Sequence, residues 1–302
     1  MVNWPKSVNI KEVGPRDGLQ NIKALVSTED KINWINKLSH TGLSYIEITS
    51  FVHPKWIPAL ADSLEVANKI MRVDGVTYAA LVPNQRGLEK AIEANIDEVS
   101  VFISASETHN QKNINKSIED TYPILKEVVS DALSSHKSVR GYISTVFGCP
   151  YEGEISISKV MKICEKLFEM GVNEVSLGDT IGVATPKQVE DVLAILLKYY
   201  STDKIAMHFH NTRGTALANV TASLMLGITK FDSSIGGLGG CPYAPGASGN
   251  LATDDLLYML DRMNIETNVS KNKIHHAALY IQDVIGEPLF SYDSKISRKT
   301  LD

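Results

Sequence analysis

The stretch Met207-His208-Phe209-His210-Asn211 follows the apolar pair Ile205-Ala206 and predicts the end of a short strand. Because the side-chain period of a strand is two, His208 and His210 should point to one face and Phe209 to the other. Two imidazoles on one face can bind one divalent metal ion through neutral nitrogens. A pair of hydrogen-bonded core histidines is the alternative. The metal hypothesis therefore depends on whether other segments supply ligands.

Short apolar strands and amphipathic helices alternate along the rest of the chain. The pattern predicts further strands at 8–13, 45–49, 77–81, 98–103, 139–146, 174–179 and 230–234, and helices at 28–41, 59–71, 85–94, 117–136, 156–170, 186–200, 214–226 and 252–263. The polar run 104–116 is predicted to be a loop. Eight strand–helix units predict parallel strands closed into a (β/α)8 TIM barrel, an α/β fold. An open doubly wound sheet is the alternative, but the glycine-rich dinucleotide turn is missing after the first strand.

The units leave a tail at the C-terminus that the barrel does not need. We predict that residues 1–267 form the catalytic TIM-barrel domain. Residues 268–302 should be a C-terminal helical extension packed on the barrel, with a helix at 269–285 that covers a barrel end or an oligomer surface. A homodimer is the oligomer that we expect.

Composition excludes several classes of protein. The net charge of −5 in 302 residues argues against a nucleic-acid or anionic-membrane partner, because both need a basic surface. The three cysteines, Cys149, Cys164 and Cys241, are too few and too irregularly spaced for a disulfide framework, which fits a reducing compartment. No secretory signal, transit peptide or membrane-length apolar run is seen, so we expect a cytoplasmic protein.

Polar residues are concentrated where the predicted strands end, which is where barrel enzymes place their sites. They are Arg16, Asp17 and Gln20 after the first strand, Glu47 inside the second, Asp179 at the end of the sixth, and Cys241 and Asn250 after the eighth. Glu47 lies between Ile46 and Ile48, so it should face inward and need a cationic partner, for which Arg16 is the obvious candidate. A purely structural ion pair is the alternative.

A ligand set for the metal follows from the same positions. Asp17, His208 and His210 would give one carboxylate oxygen and two nitrogens, and Asn250 could add an amide oxygen. Such a mixed set with open positions suits Mg²⁺, Mn²⁺ or Fe²⁺ better than a structural zinc ion.

The glycine-dense segment 234–244 carries the thiol of Cys241. A flexible linker or a phosphate nest is one interpretation, and a mobile loop that delivers one acid/base group to the barrel mouth is the sharper one. The nearly matching segment Gly148-Cys149-Pro150-Tyr151 makes Cys149 an alternative thiol. Cys164 lies mid-helix beside apolar residues and is expected in the core.

With these residues placed, the chain closely resembles the 3-hydroxy-3-methylglutaryl-CoA lyases over roughly residues 8–264. The motifs that carry the resemblance are Glu12-Val13-Gly14-Pro15-Arg16-Asp17-Gly18-Leu19-Gln20, Ser176-Leu177-Gly178-Asp179-Thr180-Ile181-Gly182, the glycine-cysteine segment, and Gly246-Ala247-Ser248-Gly249-Asn250-Leu251-Ala252-Thr253. One departure is that the family usually has Asp after the second histidine, where this chain has Asn211. That difference could alter metal affinity or the pH optimum.

The resemblance implies roles for individual residues. Its metal ligands map onto Asp17, His208, His210 and Asn250, its essential arginine onto Arg16, its site carboxylates onto Glu47 and Asp179, and its loop cysteine onto Cys241. We further expect substrate contacts at Gln20, Tyr142 and Thr180, and contacts with the coenzyme A phosphates at Lys112 and Asn113. His208, Asp17, Glu47 and Asp179 all remain candidates for the general base.

The implied activity is cleavage of 3-hydroxy-3-methylglutaryl-CoA to acetoacetate and acetyl-CoA, assisted by Mg²⁺ or Mn²⁺, with coenzyme A entering as part of the acyl-CoA substrate. An acyltransferase of the same barrel group, condensing acetyl-CoA with a 2-oxo acid, is the alternative. Those chains usually carry long C-terminal regulatory regions, for which residues 268–302 are too few. A metal-binding or interaction barrel without catalysis would explain neither the thiol segment nor an inward Glu47.

Overall fold

The parallel barrel predicted from the strand pattern is confirmed in the computed structural model, which describes residues 3–22, 24–239 and 249–299. The strands are β1 (Asn9–Glu12), β2 (Tyr45–Ser50), β3 (Thr77–Leu81), β4 (Glu98–Ser104), β5 (Ser138–Ser144), β6 (Glu174–Asp179), β7 (Ile205–Phe209) and β8 (Lys230–Ser233). They pair in chain order, and four register pairs from Asn9–Lys230 to Glu12–Ser233 join β1 to β8 and close the barrel.

The helices pack around the barrel. They are α1 (Thr28–Ser39), α2 (Ser63–Lys69), α3 (Gln85–Glu93), α4 (Glu107–Ile114), α5 (Ile118–Ser134), α6 (Ile157–Glu169), α7 (Pro186–Leu196), α8 (Ala216–Met225), α9 (Thr253–Arg262), α10 (Lys271–Ile285) and α11 (Tyr292–Lys299). Apolar faces of helices and strands form one core, in which Trp34, Phe209 and Phe231 are among the largest fully buried side chains. The Ser27 side chain caps α1, and Thr185 forms a capping box with Gln188 at the start of α7.

Three sequence predictions about helices are corrected. The run 104–116 is not a loop, because it contains α4, whose first turn is capped by the Ser106 side chain. The helix predicted at 59–71 is divided into a 3₁₀ turn at Pro58–Leu60 and α2. The helix predicted to reach residue 200 ends at Leu196.

The C-terminal segment continues beyond the predicted helix into α11. The Tyr280 hydroxyl of α10 donates to Asp30 of α1 (2.9 Å), and Asp255 of α9 accepts from the backbone N–H groups of Tyr292 (3.1 Å) and Asp293 (2.8 Å) at the start of α11. The segment thus lies against α1 and α9. In the part of the chain that the structure describes, none of the helices combines the length and the apolar character that crossing a bilayer requires.

Candidate active site

Three potential metal ligands from two distant segments meet at the carboxyl end of the barrel. Ligand atoms of Asp17, His208 and His210 all lie within 4.8 Å of one another, and no other His, Cys, Asp or Glu trio among the described residues does so. His208 is the next-to-last residue of β7, and His210 directly follows that strand, with a bridge to Asn250. The two rings lie on the same face as predicted, with centroids 5.3 Å apart, whereas Phe209 packs against Phe147.

Asn250 completes this group with an amide. Its Nδ2 donates to Asp17 Oδ2 (2.8 Å) and to the carbonyl oxygen of Leu238 (3.0 Å). Its Oδ1 and the Nδ1 of His210 are both buried without a hydrogen-bond partner among the described residues. Unsatisfied buried acceptors are costly. Two such atoms beside a carboxylate and a second imidazole fit the donor set of a divalent cation.

The protonation states favour binding of a cation. Although burial opposes its ionisation, Asp17 has its pKa lowered to about 2, chiefly by the Arg16 guanidinium and then by the two imidazoles. Burial lowers the pKa of His210 to about 4, and the neighbouring His208 contributes to the shift. Near neutral pH the site therefore presents a carboxylate and a neutral imidazole, the forms in which both residues bind metals.

Arg16 and Asp17 lie in a π-helical turn, Gly14–Gly18, in which the N–H groups of Arg16, Asp17 and Gly18 converge on the Val13 carbonyl. Arg16 uses Nε for Glu47 Oε2 and Nη1 for Asp17 Oδ1, which shows the predicted pair with Glu47. A register irregularity in β2 between Glu47 and Thr49 accompanies the inward placement of the fully buried Glu47. The arginine is thus fixed between two carboxylates.

Glu12, to which no role was assigned from the sequence, joins the π-helical turn to the segment after β8 through hydrogen bonds. Its carboxylate accepts from the N–H groups of Gly14 (2.8 Å) and Ile235 (3.0 Å) and from the Thr253 hydroxyl (2.7 Å). A Cβ on Gly14 would lie 2.5 Å from Glu12 Oε1, so a larger residue at this position would displace the carboxylate. Burial raises the pKa of Glu12 to about 7.

Asp179 ends β6 as predicted, and its carboxylate accepts hydrogen bonds from the backbone of the loop that follows. Its two oxygens accept from the N–H groups of Val183 (2.9 Å) and Ala184 (3.1 Å), while burial raises its pKa to about 6. The adjacent Thr180 accepts at Oγ1 from the N–H of Thr145 (2.8 Å). Thr145 is a β-branched residue with φ of +61°, and such strain is concentrated at functional sites.

The candidate acyl-CoA contacts are dispersed. Tyr142 is buried in β5, and its hydroxyl donates to Glu47 Oε2 (3.3 Å). Gln20 is half-buried just after the π-helical turn. Lys112 and Asn113 are exposed on α4, where the Lys112 ammonium lies 4.9 Å from the centre of the Tyr151 ring.

Cys241 lies outside the described residues. Cys149, the alternative thiol, is buried in the loop after β5, where its Sγ donates to Ser106 Oγ (3.0 Å) and accepts from the N–H of Tyr151 (3.4 Å). Cys164 is buried in α6 as predicted, and burial raises its pKa to about 12. Asn211, the departure from the family pattern, accepts at Oδ1 from the N–H of Ala216 at the start of α8 (3.2 Å). An aspartate could accept the same hydrogen bond.

Sequence reasoning missed a layer of charged side chains inside the barrel below the site. Asp232 of β8 bonds His208 Nδ1 at 3.1 Å, and the guanidinium of Arg140 in β5 bonds Asp232 at 2.6 Å. Lys11 and Lys230 lie 3.0 and 2.8 Å from the carboxylate oxygens of Glu174. The available signal was polar residues at inward positions of apolar strands, the same signal that identified Glu47.

Comparisons with known proteins identify the family that this chain matches. The HMGL-like family profile matches residues 7–281. The chain is 60% identical to hydroxymethylglutaryl-CoA lyase YngG of Bacillus subtilis over 98% of this chain and 99% of that protein. It is also similar to the crystal structure of a B. subtilis HMG-CoA lyase (TM-score 0.97, 60% identity, 98% and 99% coverage). A third similar protein is an Acinetobacter baumannii HMG-CoA lyase, solved in complex with coenzyme A and 3-methylmalate (TM-score 0.94, 38% identity, 99% and 98% coverage).

Proposed function

Because this chain belongs to the HMGL-like family, we propose that it is a hydroxymethylglutaryl-CoA lyase that cleaves 3-hydroxy-3-methylglutaryl-CoA to acetoacetate and acetyl-CoA. The observation that carries the proposal is the convergence of Asp17, His208 and His210 beside Arg16, in a chain so similar to enzymes of that name. The coenzyme A complex of the A. baumannii relative supports an acyl-CoA substrate.

The residues that would hold the metal are Asp17, His208, His210 and Asn250 through its unpartnered Oδ1. We propose Mg²⁺ or Mn²⁺, because the donors are mixed oxygen and nitrogen without a thiolate among the described residues. When bound, such an ion acts as a Lewis acid that lowers the pKa of the substrate's tertiary hydroxyl group and orients it.

In the proposed reaction a general base removes the hydroxyl proton, and the C2–C3 bond breaks as the C3 carbonyl forms. The electron pair goes to C2, which gives the acetyl-CoA enolate. Asp179 is the carboxylate that we favour as base, since its pKa of about 6 lies nearer to neutral than that of Asp17 at about 2. His208 and Glu47 remain alternatives.

Arg16 is proposed to stabilise the developing enolate oxygen. Its Nε and Nη1 hold Glu47 and Asp17, which leaves Nη2 as the group that we assign to this oxygen. By analogy with other oxyanion donors, such a contact contributes about 3–4 kcal/mol to transition-state stabilisation. Cys241 is proposed to protonate the enolate carbon, which completes acetyl-CoA, and Gln20, Tyr142, Thr180, Lys112 and Asn113 remain proposed substrate contacts.

The Arg16→Met variant tests this assignment. Acetoacetate formation from 3-hydroxy-3-methylglutaryl-CoA should fall by at least a hundredfold, while Mn²⁺ content stays that of the unaltered protein. Arg86→Met, on the exposed side of α3, is the matched control. Loss of Mn²⁺ with normal turnover per loaded site would contradict the role of Arg16. Thiol release from acetyl-CoA plus a 2-oxo acid, without lyase activity, would contradict the proposed function.

The proposal also covers the domain bounds, the cellular location and the oligomeric state. We propose a catalytic domain at 1–267 with an extension at 268–302, supported by the packing of α10 and α11 on α1 and α9. A cytoplasmic location is supported by the unpaired thiols of Cys149 and Cys164. The homodimer expected from the sequence remains a proposal, and light scattering of the purified protein tests it.

A further inference from the structure

The guanidinium of Arg140 is fully buried inside the barrel and connects to two parts of the proposed site. One part is the set of metal ligands, and the other is the Arg16–Glu47 pair. Arg140 of β5 donates from Nε to Glu174 Oε1 (2.7 Å), from Nη2 to Asp232 Oδ1 (2.6 Å) and from Nη1 to the Tyr142 hydroxyl (2.8 Å). None of these partners is a proposed metal ligand. Two of them, however, bond directly to residues of the site.

The first branch runs through Asp232 to the metal ligands. Asp232 and His208 are register partners on β8 and β7, and Asp232 Oδ2 lies 3.1 Å from His208 Nδ1 and accepts from the Ser176 hydroxyl at 2.9 Å. Beside Arg140, Asp232 is a carboxylate, so His208 donates its Nδ1 proton to it. The other ring nitrogen, Nε2, lies 3.8 Å from Asp17 Oδ2 and is the one that would bind the metal.

The second branch runs through Tyr142 to the arginine of the site. The Tyr142 hydroxyl accepts from Arg140 and donates to Glu47 Oε2 (3.3 Å), and the same Glu47 oxygen accepts from Arg16 Nε. The Tyr142 ring lies near both guanidinium groups, with its centre 4.7 Å from Arg140 Cζ and 5.3 Å from Arg16 Cζ. Its other neighbour is the His208 ring, edge-on at 6.0 Å.

We infer that Arg140 is a positioning residue for both halves of the site: through Asp232 it orients His208 for the metal, and through Tyr142 it orients Glu47 and Arg16 for the reaction. The Tyr142 branch rests on the proposed lyase function, whereas the Asp232 branch requires only metal binding. Tyr142, which the sequence analysis assigned to the substrate, has here a second role through Glu47.

A purely structural role for Arg140 makes a different prediction. If it only neutralised Asp232 and Glu174, removing either branch would lower stability without separating metal binding from turnover. Replacing Arg140 itself leaves buried carboxylates without a counter-charge, and the chain could fail to fold. The two branches must therefore be cut one at a time by near-isosteric changes.

The experiment compares Asp232→Asn with Tyr142→Phe in the full-length, EDTA-treated protein. Mn²⁺ affinity is measured by electron paramagnetic resonance, and kcat and KM are measured at saturating Mn²⁺. Asp232→Asn should weaken Mn²⁺ binding by about 10–100-fold. Tyr142→Phe should keep Mn²⁺ affinity within about twofold and should lower kcat by about tenfold, because Arg16 acts in the transition state. Loss of the proposed substrate contact of Tyr142 would be seen separately, as a higher KM.

Ser223→Ala, which removes a buried hydroxyl that donates to the Asn219 carbonyl oxygen within α8 (2.8 Å), is the control and should move neither readout. Normal Mn²⁺ affinity in Asp232→Asn would overturn the first branch, and normal kcat in Tyr142→Phe would overturn the second. Equal loss of affinity and turnover in both variants would show a structural role only. If the unaltered chain binds Mn²⁺ but lacks lyase activity, the proposed function fails while the Asp232 branch still stands on its affinity data.

Discussion

Replacing Asp179 by asparagine should weaken the pH dependence of folding stability. Asp179 is 1 % exposed, and burial raises its pKa from 3.8 to about 6. The folded chain therefore binds this proton more tightly than the unfolded chain does. The stability that protonation gives is fully present below about pH 4 and is lost as the pH rises through 6. The total is about 3 kcal/mol, of which about half falls between pH 5 and pH 8.

Asparagine does not titrate, so this slope should disappear. Its amide keeps one acceptor for the N–H of Val183 or Ala184 and places an NH₂ group against the other, which costs about 1–3 kcal/mol at every pH. The variant should therefore be less stable than the unaltered chain at pH 5, and the deficit should shrink by about 1–2 kcal/mol at pH 8.

Urea unfolding of EDTA-treated protein at pH 5, 6, 7 and 8 measures this difference, with circular dichroism as the probe. Asp283→Asn, on the exposed side of α10, controls for the loss of one charge. If the unfolding free energies of Asp179→Asn and the unaltered chain differ by the same amount at all four pH values, burial does not control the ionisation of Asp179. The reason for preferring it as the general base then disappears as well.

Three other perturbations test the fold and the site. Gly236→Ala should destabilise the chain by about 2–4 kcal/mol, because φ is +66° and a Cβ would lie 2.6 Å from the Leu289 side chain. The control Gly75→Ala, with φ of +85° and open space around the Cβ, should cost only about 1–2 kcal/mol. Equal losses of unfolding free energy in urea would contradict the clash with Leu289. Trp34→Ala should cost about 3–5 kcal/mol, since Trp34 is fully buried between α1 and the barrel, and a loss under 1 kcal/mol would contradict that packing. Mn²⁺ at a hundred times its Kd should stabilise the unaltered chain by about 2.7 kcal/mol and raise its Tm. The His210→Ala variant should lose most of that shift, and an undiminished shift would remove His210 from the ligand set.

The sequence was most informative where apolar periodicity and position in the barrel agree. The bounds of β3 were predicted to the residue, and His208, Glu47 and Asp179 could be assigned to the catalytic face because they follow or interrupt apolar strands. Strand alternation also predicted that the two histidines share a face. These features depend on local pattern, which a linear sequence records directly.

Elements and contacts that depend on polar side chains could not be predicted from the sequence. Helix α4 buries His109 and Asn110 instead of an apolar stripe. Asn110 accepts from the N–H of Ser104 and donates to Thr121, and a search for apolar spacing cannot detect those bonds. The contact of Arg140 with Asp232 joins positions 92 residues apart, so the sequence could show two inward polar residues but not that they are partners.

The pairing of β1 with β8 has a consequence for synthesis on the ribosome. Partners Asn9 and Lys230 are separated by about 220 residues, which take roughly 10–40 s to translate. Until β8 emerges, one side of β1 has no neighbour, and a nascent chain with an open strand edge is prone to aggregate. Expression at high temperature or with rare codons late in the message should therefore trap this chain as inclusion bodies more readily than slow, cool expression does.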